Sequence, residues 1–206
     1  MFPVLKPASW QGLTYGARAH VWIGSPQAPE VVVAYGCYDG GFASYITNET
    51  PAYNDPDELV REAFDNLKAH DVELQVVGTG ADRVVIAAGP FAAEQVLSER
   101  HVLAVHDRLE AAEIVVSIPR RDALLACPAD ASEQLRRTVT GLHREAWVGR
   151  GQPDNKALDD KALDNKVLDG LIVFAAGLKV DVIPMGERAA TAVGAPLRWG
   201  AWAAGQ

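Results

Sequence analysis

Two cysteines, Cys37 and Cys127, are all that the 206 residues hold. Two thiols make no disulfide framework and cannot furnish a structural zinc site alone. Each stands at or near the end of an apolar run, so both read as reduced, partly buried core residues. Long hydrophobic runs are also missing: no stretch approaches the roughly 20 apolar residues of a membrane span. The opening Met1-Phe2-Pro3-Val4-Leu5-Lys6-Pro7 has two prolines and no apolar h-region, so it does not read as a signal peptide, and a cytoplasmic setting is expected. Basic residues are short, 19 Lys and Arg against 27 Asp and Glu, a net charge of −8. Such a surface repels phosphate backbones, which disfavours nucleic acid as a partner.

Reactive motifs are equally scarce. The histidines are His20, His70, His101, His106 and His143. The close pair, His101 and His106, is spaced by five, where a helical metal pair needs a spacing of four. No HExxH, P-loop or GxSxG sequence is present, and Gly78-Thr79-Gly80 lacks the spacing of a dinucleotide cradle. Cys127, a lone thiol on an apolar strand, reads as packing. No metal, cofactor or catalytic residue is expected, and an enzyme is not favoured.

What the chain does have is ordinary globular material, 49% hydrophobic and 22% charged. Its best-marked stretch is Glu113–Cys127, two apolar runs around Pro119-Arg120-Arg121-Asp122, which reads as a buried hairpin with a charged tip. Similar grammar precedes it. Val31–Tyr35 and Phe42–Ile46 flank an Asp39-Gly40-Gly41 turn. A helix follows from Asp55-Pro56-Asp57-Glu58, capped by Asp55, with Leu59, Ala63, Phe64 and Leu67 as its stripe, ending near His70. Val72–Val77 and Arg83–Ala88 make a second hairpin. A short Phe91–Leu97 segment leads to a helix capped by Ser98, with Val102, Val105, Leu109 and Ala112 inward. After the third hairpin, a helix over about Asp130–Trp147 carries Leu135, Val139, Leu142 and Ala146.

Residues 31–147 therefore read as three successive hairpin–helix (ββα) units. The expected fold is α+β, an antiparallel or mixed sheet with three helices on it. Residues 1–30 are loosely written, with one short strand at Ala19–Ile23, and complete a domain over 1–147. Residues 148–170 read as a linker with a period-five insert, Lys156-Ala157-Leu158-Asp159-Asp160 and two further copies. Leucines five apart rotate about 500° per step and spiral around a helix, so a mobile or partly helical insert is expected. Residues 171–206 read as a hairpin, Leu171–Phe174 with Leu178–Ile183, and a tail whose Trp199 and Trp202 fold back on the domain.

Two candidate sites emerge. Arg120 and Arg121, with Asp122, form a fork at the hairpin tip that suits a carboxylate or phosphate. From Glu30 to Val60 there are six acids and no Lys or Arg, including Asp39, Asp55 and Glu58. That segment suits docking of a basic protein partner.

Ile118-Pro119-Arg120-Arg121-Asp122-Ala123-Leu124-Leu125, together with Ala34-Tyr35, Gly41-Phe42, Tyr45-Ile46, Ala63-Phe64-Asp65-Asn66-Leu67 and Phe91-Ala92-Ala93, resembles the YtpQ-like family of bacterial proteins of unknown function. The resemblance spans about residues 30–147. It implies a fold and a bacterial, cytoplasmic setting, and no catalytic residue. The five-residue repeat and the tail depart from it. The expectation is a non-enzymatic protein-binding module, an acidic inhibitor or immunity-type protein; the alternative is an enzyme or ligand-binding domain holding a small anion at the hairpin tip.

Overall fold

A computed structural model describes residues 1–39, 42–51, 53, 55–148 and 166–185. The first two copies of the five-residue repeat and the tail with Trp199 and Trp202 lie outside the described residues.

The fold is α+β, with antiparallel sheets and three α-helices. The expected single sheet is replaced by two. One holds β1 (Phe2–Pro7), β2 (Ala19–Ser25), β3 (Ala28–Asp39) and β4 (Phe42–Tyr45). β3 is its spine: β1 runs along one edge, while β2 and then β4 pair with successive halves of the other. The second sheet has six strands in the order β10-β9-β7-β8-β6-β5. These are β5 (Gln75–Val77), β6 (Val84–Ala88), β7 (Glu113–Arg120), β8 (Ala123–Pro128), β9 (Gly170–Ala175) and β10 (Leu178–Pro184).

The N-terminal segment is a strand and not the loose chain its prolines suggest. The N–H of Leu5 points away from β3, toward the side chain of Glu94. Pro3 and Pro7 share its parity, so their missing N–H groups fall on the edge that no strand covers among the described residues. Proline costs this strand no ladder bond.

The local start signals work as their chemistry demands. Asp55 Oδ1 accepts from the N–H of Asp57 at 2.9 Å and opens α1 (Pro56–Ala69). Ser98 caps α2 (Glu99–Leu109), and Ser132 Oγ accepts from Leu135 N–H at 3.2 Å to open α3 (Glu133–Val148). The second strand of the chain's last hairpin returns through Ala176 and Gly177, both at positive φ (49° and 80°). A Cβ on Gly177 would lie 2.9 Å from Leu103 Cδ2, the end of a partly exposed side chain that can move aside, so it is the positive φ that calls for glycine there.

Two apolar layers follow from the period-two alternation of β7. Ile114, Val116 and Ile118 enter a large core shared with Val31 and Val33 of β3, Leu59 and Ala63 of α1, and Val102 and Val105 of α2. Val115 faces the other way, into a smaller core with Cys127, Val139 of α3, Leu171 and Val173. β9 supplies both layers and pairs directly with β7, which makes the last hairpin integral to the sheet. The third copy of the repeat is equally integral. Val167 and Leu168 are buried and Lys166 bridges to Arg120, so this copy is not a mobile insert.

Two helix faces differ from expectation. Ala112 lies beyond α2 and is exposed. On α3, Leu142 is 42% exposed, and the buried face is Val139, Thr140 and His143. Among the described residues, no helix is long and apolar enough to cross a membrane.

Candidate functional site

The hairpin tip is tied inward. β7 runs to Arg120, which pairs across the turn with Ala123, so the tip proper is Arg121 and Asp122. Arg120 Nε comes within 3.5 Å of Asp122 Oδ1, without hydrogen-bond geometry. Arg121 turns into the protein: its Nε donates to Glu94 Oε1 at 2.7 Å, with 11% of the arginine side chain and none of the glutamate side chain exposed. The same oxygen accepts the N–H of Leu5 at 3.3 Å. The guanidinium lies 5.8 Å over the ring of Phe91, which is stacked on Phe2 with centroids 4.3 Å apart.

Backbone bonds fasten the tip further, from Gly89 N–H to the Asp122 carbonyl and from Ala93 N–H to the Arg121 carbonyl. Phe91 holds a left-handed φ of 61°, a strained position for a bulky residue. Burial pushes the Glu94 carboxyl up, and Arg121 only partly offsets it. The expected anion-binding fork is therefore not assembled. Arg120 and Arg121 point to different acids, and Arg121 bolts the second sheet to β1 of the first.

A second polar chain crosses the sheet on the α3 side. Ser117 takes the one polar position among the apolar residues of β7, and its Oγ lies 2.9 Å from His143 Nδ1. His143 Nε2 lies 3.6 Å from Asp169 Oδ1, just before β9. At 3.6 Å Asp169 is a charge neighbour of Nε2 and not its hydrogen-bond partner, and the serine hydroxyl can donate to Nδ1 or accept from it according to the tautomer. Burial is the main effect on His143 and holds its titration below the ordinary value of 6.5; Asp169 opposes this, and Arg144 adds to it. The connectivity is that of a Ser-His-Asp relay, with the ring nitrogens exchanged. Ser117 and His143 are fully buried, so neither is reached from solvent, and the pair serves as an internal polar tie. Burial likewise pushes the Cys127 thiol up to about 12, which leaves it unreactive at neutral pH.

The sign of the His143 effect is definite. A base whose folded titration lies below its unfolded one contributes stability that is present above 6.5 and lost as pH falls through the folded value. Urea unfolding of wild type and His143→Gln at a series of pH values will show a steeper acid-side loss in wild type. Parallel curves would contradict the assignment.

The acidic segment is surface. Asp55, Asp57, Glu58 and Glu62 are all exposed along the N-terminal half of α1. Glu58 meets Arg61 at 3.8 Å, while Asp55, Asp57 and Glu62 have no cationic partner among the described residues. Burial first, then Glu62, Cys37 and Glu58, push the nearby Tyr53 phenol up, which registers the negative field of this face. Asp39 ends β3, and residues 40 and 41 after it lie outside the described residues. Of the candidate residues, Asp55 and Glu58 share one face, while Arg121 is withdrawn from the surface. Glu94 and His143 were missed as polar anchors. The available signal was Ser117, one hydroxyl among valines and isoleucines. No family model, curated protein or solved structure matches this chain.

Proposed function

We propose that this protein is a non-enzymatic protein-binding module that engages a basic partner through the acidic N-terminal half of α1, in the manner of an inhibitor or immunity-type protein. The observation that carries the reading is the exposed carboxylate row Asp55, Asp57, Glu58 and Glu62, against which α1 sets only Arg61 in the same turns. Complementary charge of this kind accelerates encounter and selects against acidic competitors. With it goes the YtpQ-like resemblance of residues 30–147, taken as three hairpin–helix units in a bacterial, cytoplasmic protein. The anionic-ligand alternative at Arg120 and Arg121 gains no support from a guanidinium already engaged by Glu94.

The test must separate charge from capping. Asp55 holds the first turn of α1, so reversing it costs the helix about 1 kcal/mol and confounds the result. A triple reversal, Asp57→Lys, Glu58→Lys and Glu62→Lys with Asp55 retained, is expected to weaken partner binding by about 100-fold or more at low salt. The wild-type affinity should fall as salt rises, because surface charges are screened. Unchanged affinity in a folded triple variant would sink the reading.

A further inference from the structure

Where the two sheets meet at one end, a cavity of about 450 Å³ opens between strand ends. Pro7, Pro29, Pro184 and Trp147 form part of its wall, and two acidic residues, the exposed Glu30 and the half-buried Asp169, also line it. Among the described residues, no lysine or arginine lines it. The volume suits an amino-acid-sized group.

Asp169 is set apart from an ordinary surface acid by what lies behind it. The fully buried Nε2 of His143 has no hydrogen-bond partner and sits 3.6 Å from Asp169 Oδ1. The carboxylate therefore stands between an interior imidazole and the cavity, and its burial on the His143 side lets water screen it less than a fully exposed acid. Trp147 stacks on His143 with centroids 6.4 Å apart, and the Lys166 ammonium lies 4.8 Å over its ring. That ring thus already holds a cation of this chain.

We infer that this cavity binds an organic cation, a guanidinium or primary ammonium on a short aliphatic stem, with Asp169 as its main counter-charge and Glu30 as the second. The prolines and Trp147 cover the methylene stem, and the two carboxylates take the N–H donors. Protonation at His143 works against the ligand, because it brings a positive charge to the inner side of Asp169. The groups around His143 are Ser117 of β7, Asp169 before β9, Arg144 and Trp147 on its own helix, and the Lys166 ammonium over the Trp147 ring, a charge that also opposes the proton. Arg144 and the ligand both oppose that proton; Asp169 favours it. Affinity therefore falls as pH drops through the His143 titration. The site lies on different elements from α1 and does not depend on the acidic face.

The experiment is an NMR titration with butylguanidinium, butylammonium and, as the anionic control, butyrate, following the Trp147 indole signal assigned by its loss in Trp147→Phe. The expected result is a saturable shift with both cations and none with butyrate. Asp169→Asn should weaken binding about tenfold or more, the loss of one charge-assisted contact, and Glu30→Gln by less. The acid-side fall in affinity should vanish in His143→Gln. The α1 triple variant should bind the probes as wild type does, so failure here and failure of the partner reading are separable. No saturable shift, an equal response to butyrate, or unchanged affinity in folded Asp169→Asn would overturn the inference. If that variant does not fold, an unchanged affinity in folded Glu30→Gln together with an acid-side fall that persists in His143→Gln would do so.

Discussion

Glu94→Ala is expected to lower the unfolding free energy by about 3–5 kcal/mol, the cost of breaking a buried ion pair by removing one of its members. The variant takes away the carboxylate to which Arg121 Nε donates and also the acceptor for the outward N–H of Leu5. Glu94→Gln behaves differently, because its amide oxygen still accepts from both donors. The raised titration of Glu94 sets the pH dependence. A carboxyl raised above its ordinary 4.5 contributes stability that is fully present below that value and lost as pH rises through the folded value. Wild type and Glu94→Gln should therefore be similar in acid, and the glutamine variant should gain on wild type toward neutral pH. Urea denaturation at both ends of this range measures it. A glutamine variant that tracks alanine at every pH would show that the charge, and not the hydrogen bonds, holds the tip to β1.

Phe174→Ala is expected to cost about 3–5 kcal/mol, the usual range for emptying an aromatic site in a core. Phe174 is 2% exposed and stands opposite Ile114 in the β7–β9 ladder, on the face turned toward the first sheet. The last hairpin would otherwise count as a C-terminal appendage. If it were one, truncating Phe174 would loosen only β9 and β10 and leave a second, later unfolding step. The central position of β9 predicts one cooperative transition at lower denaturant, seen alike by far-ultraviolet circular dichroism and by tryptophan fluorescence. Two separated transitions would contradict it.

Legibility in the sequence followed the range of the physics. The hairpins and the starts of α1 and α2 were readable because their causes are local: Asp55 before Pro56, Ser98 before Glu99, and alternating apolar runs around short turns. Which sheet a hairpin joins is not local. Nothing in Phe42–Tyr45 says that it pairs with the far half of a long β3 while the other hairpins build a separate six-stranded sheet. β1 was hidden by Pro3 and Pro7, whose parity is harmless only because that edge meets Glu94 instead of a strand. On α3, a stripe through Leu142 fits helical spacing as well as the true face, and only the hydroxyl of Ser117 on the facing strand selects His143. Repetition likewise masked the third copy of the five-residue unit, where Val167 and Leu168 are core.

We propose that a basic protein docks on the α1 face. Native mass spectrometry tests it most directly, on wild type and on the Asp57→Lys, Glu58→Lys, Glu62→Lys variant, each purified gently from the same host. The expected result is a basic polypeptide bound to wild type at low salt and absent from the folded triple variant. A bare wild-type chain, or a partner retained equally by both proteins, would contradict it.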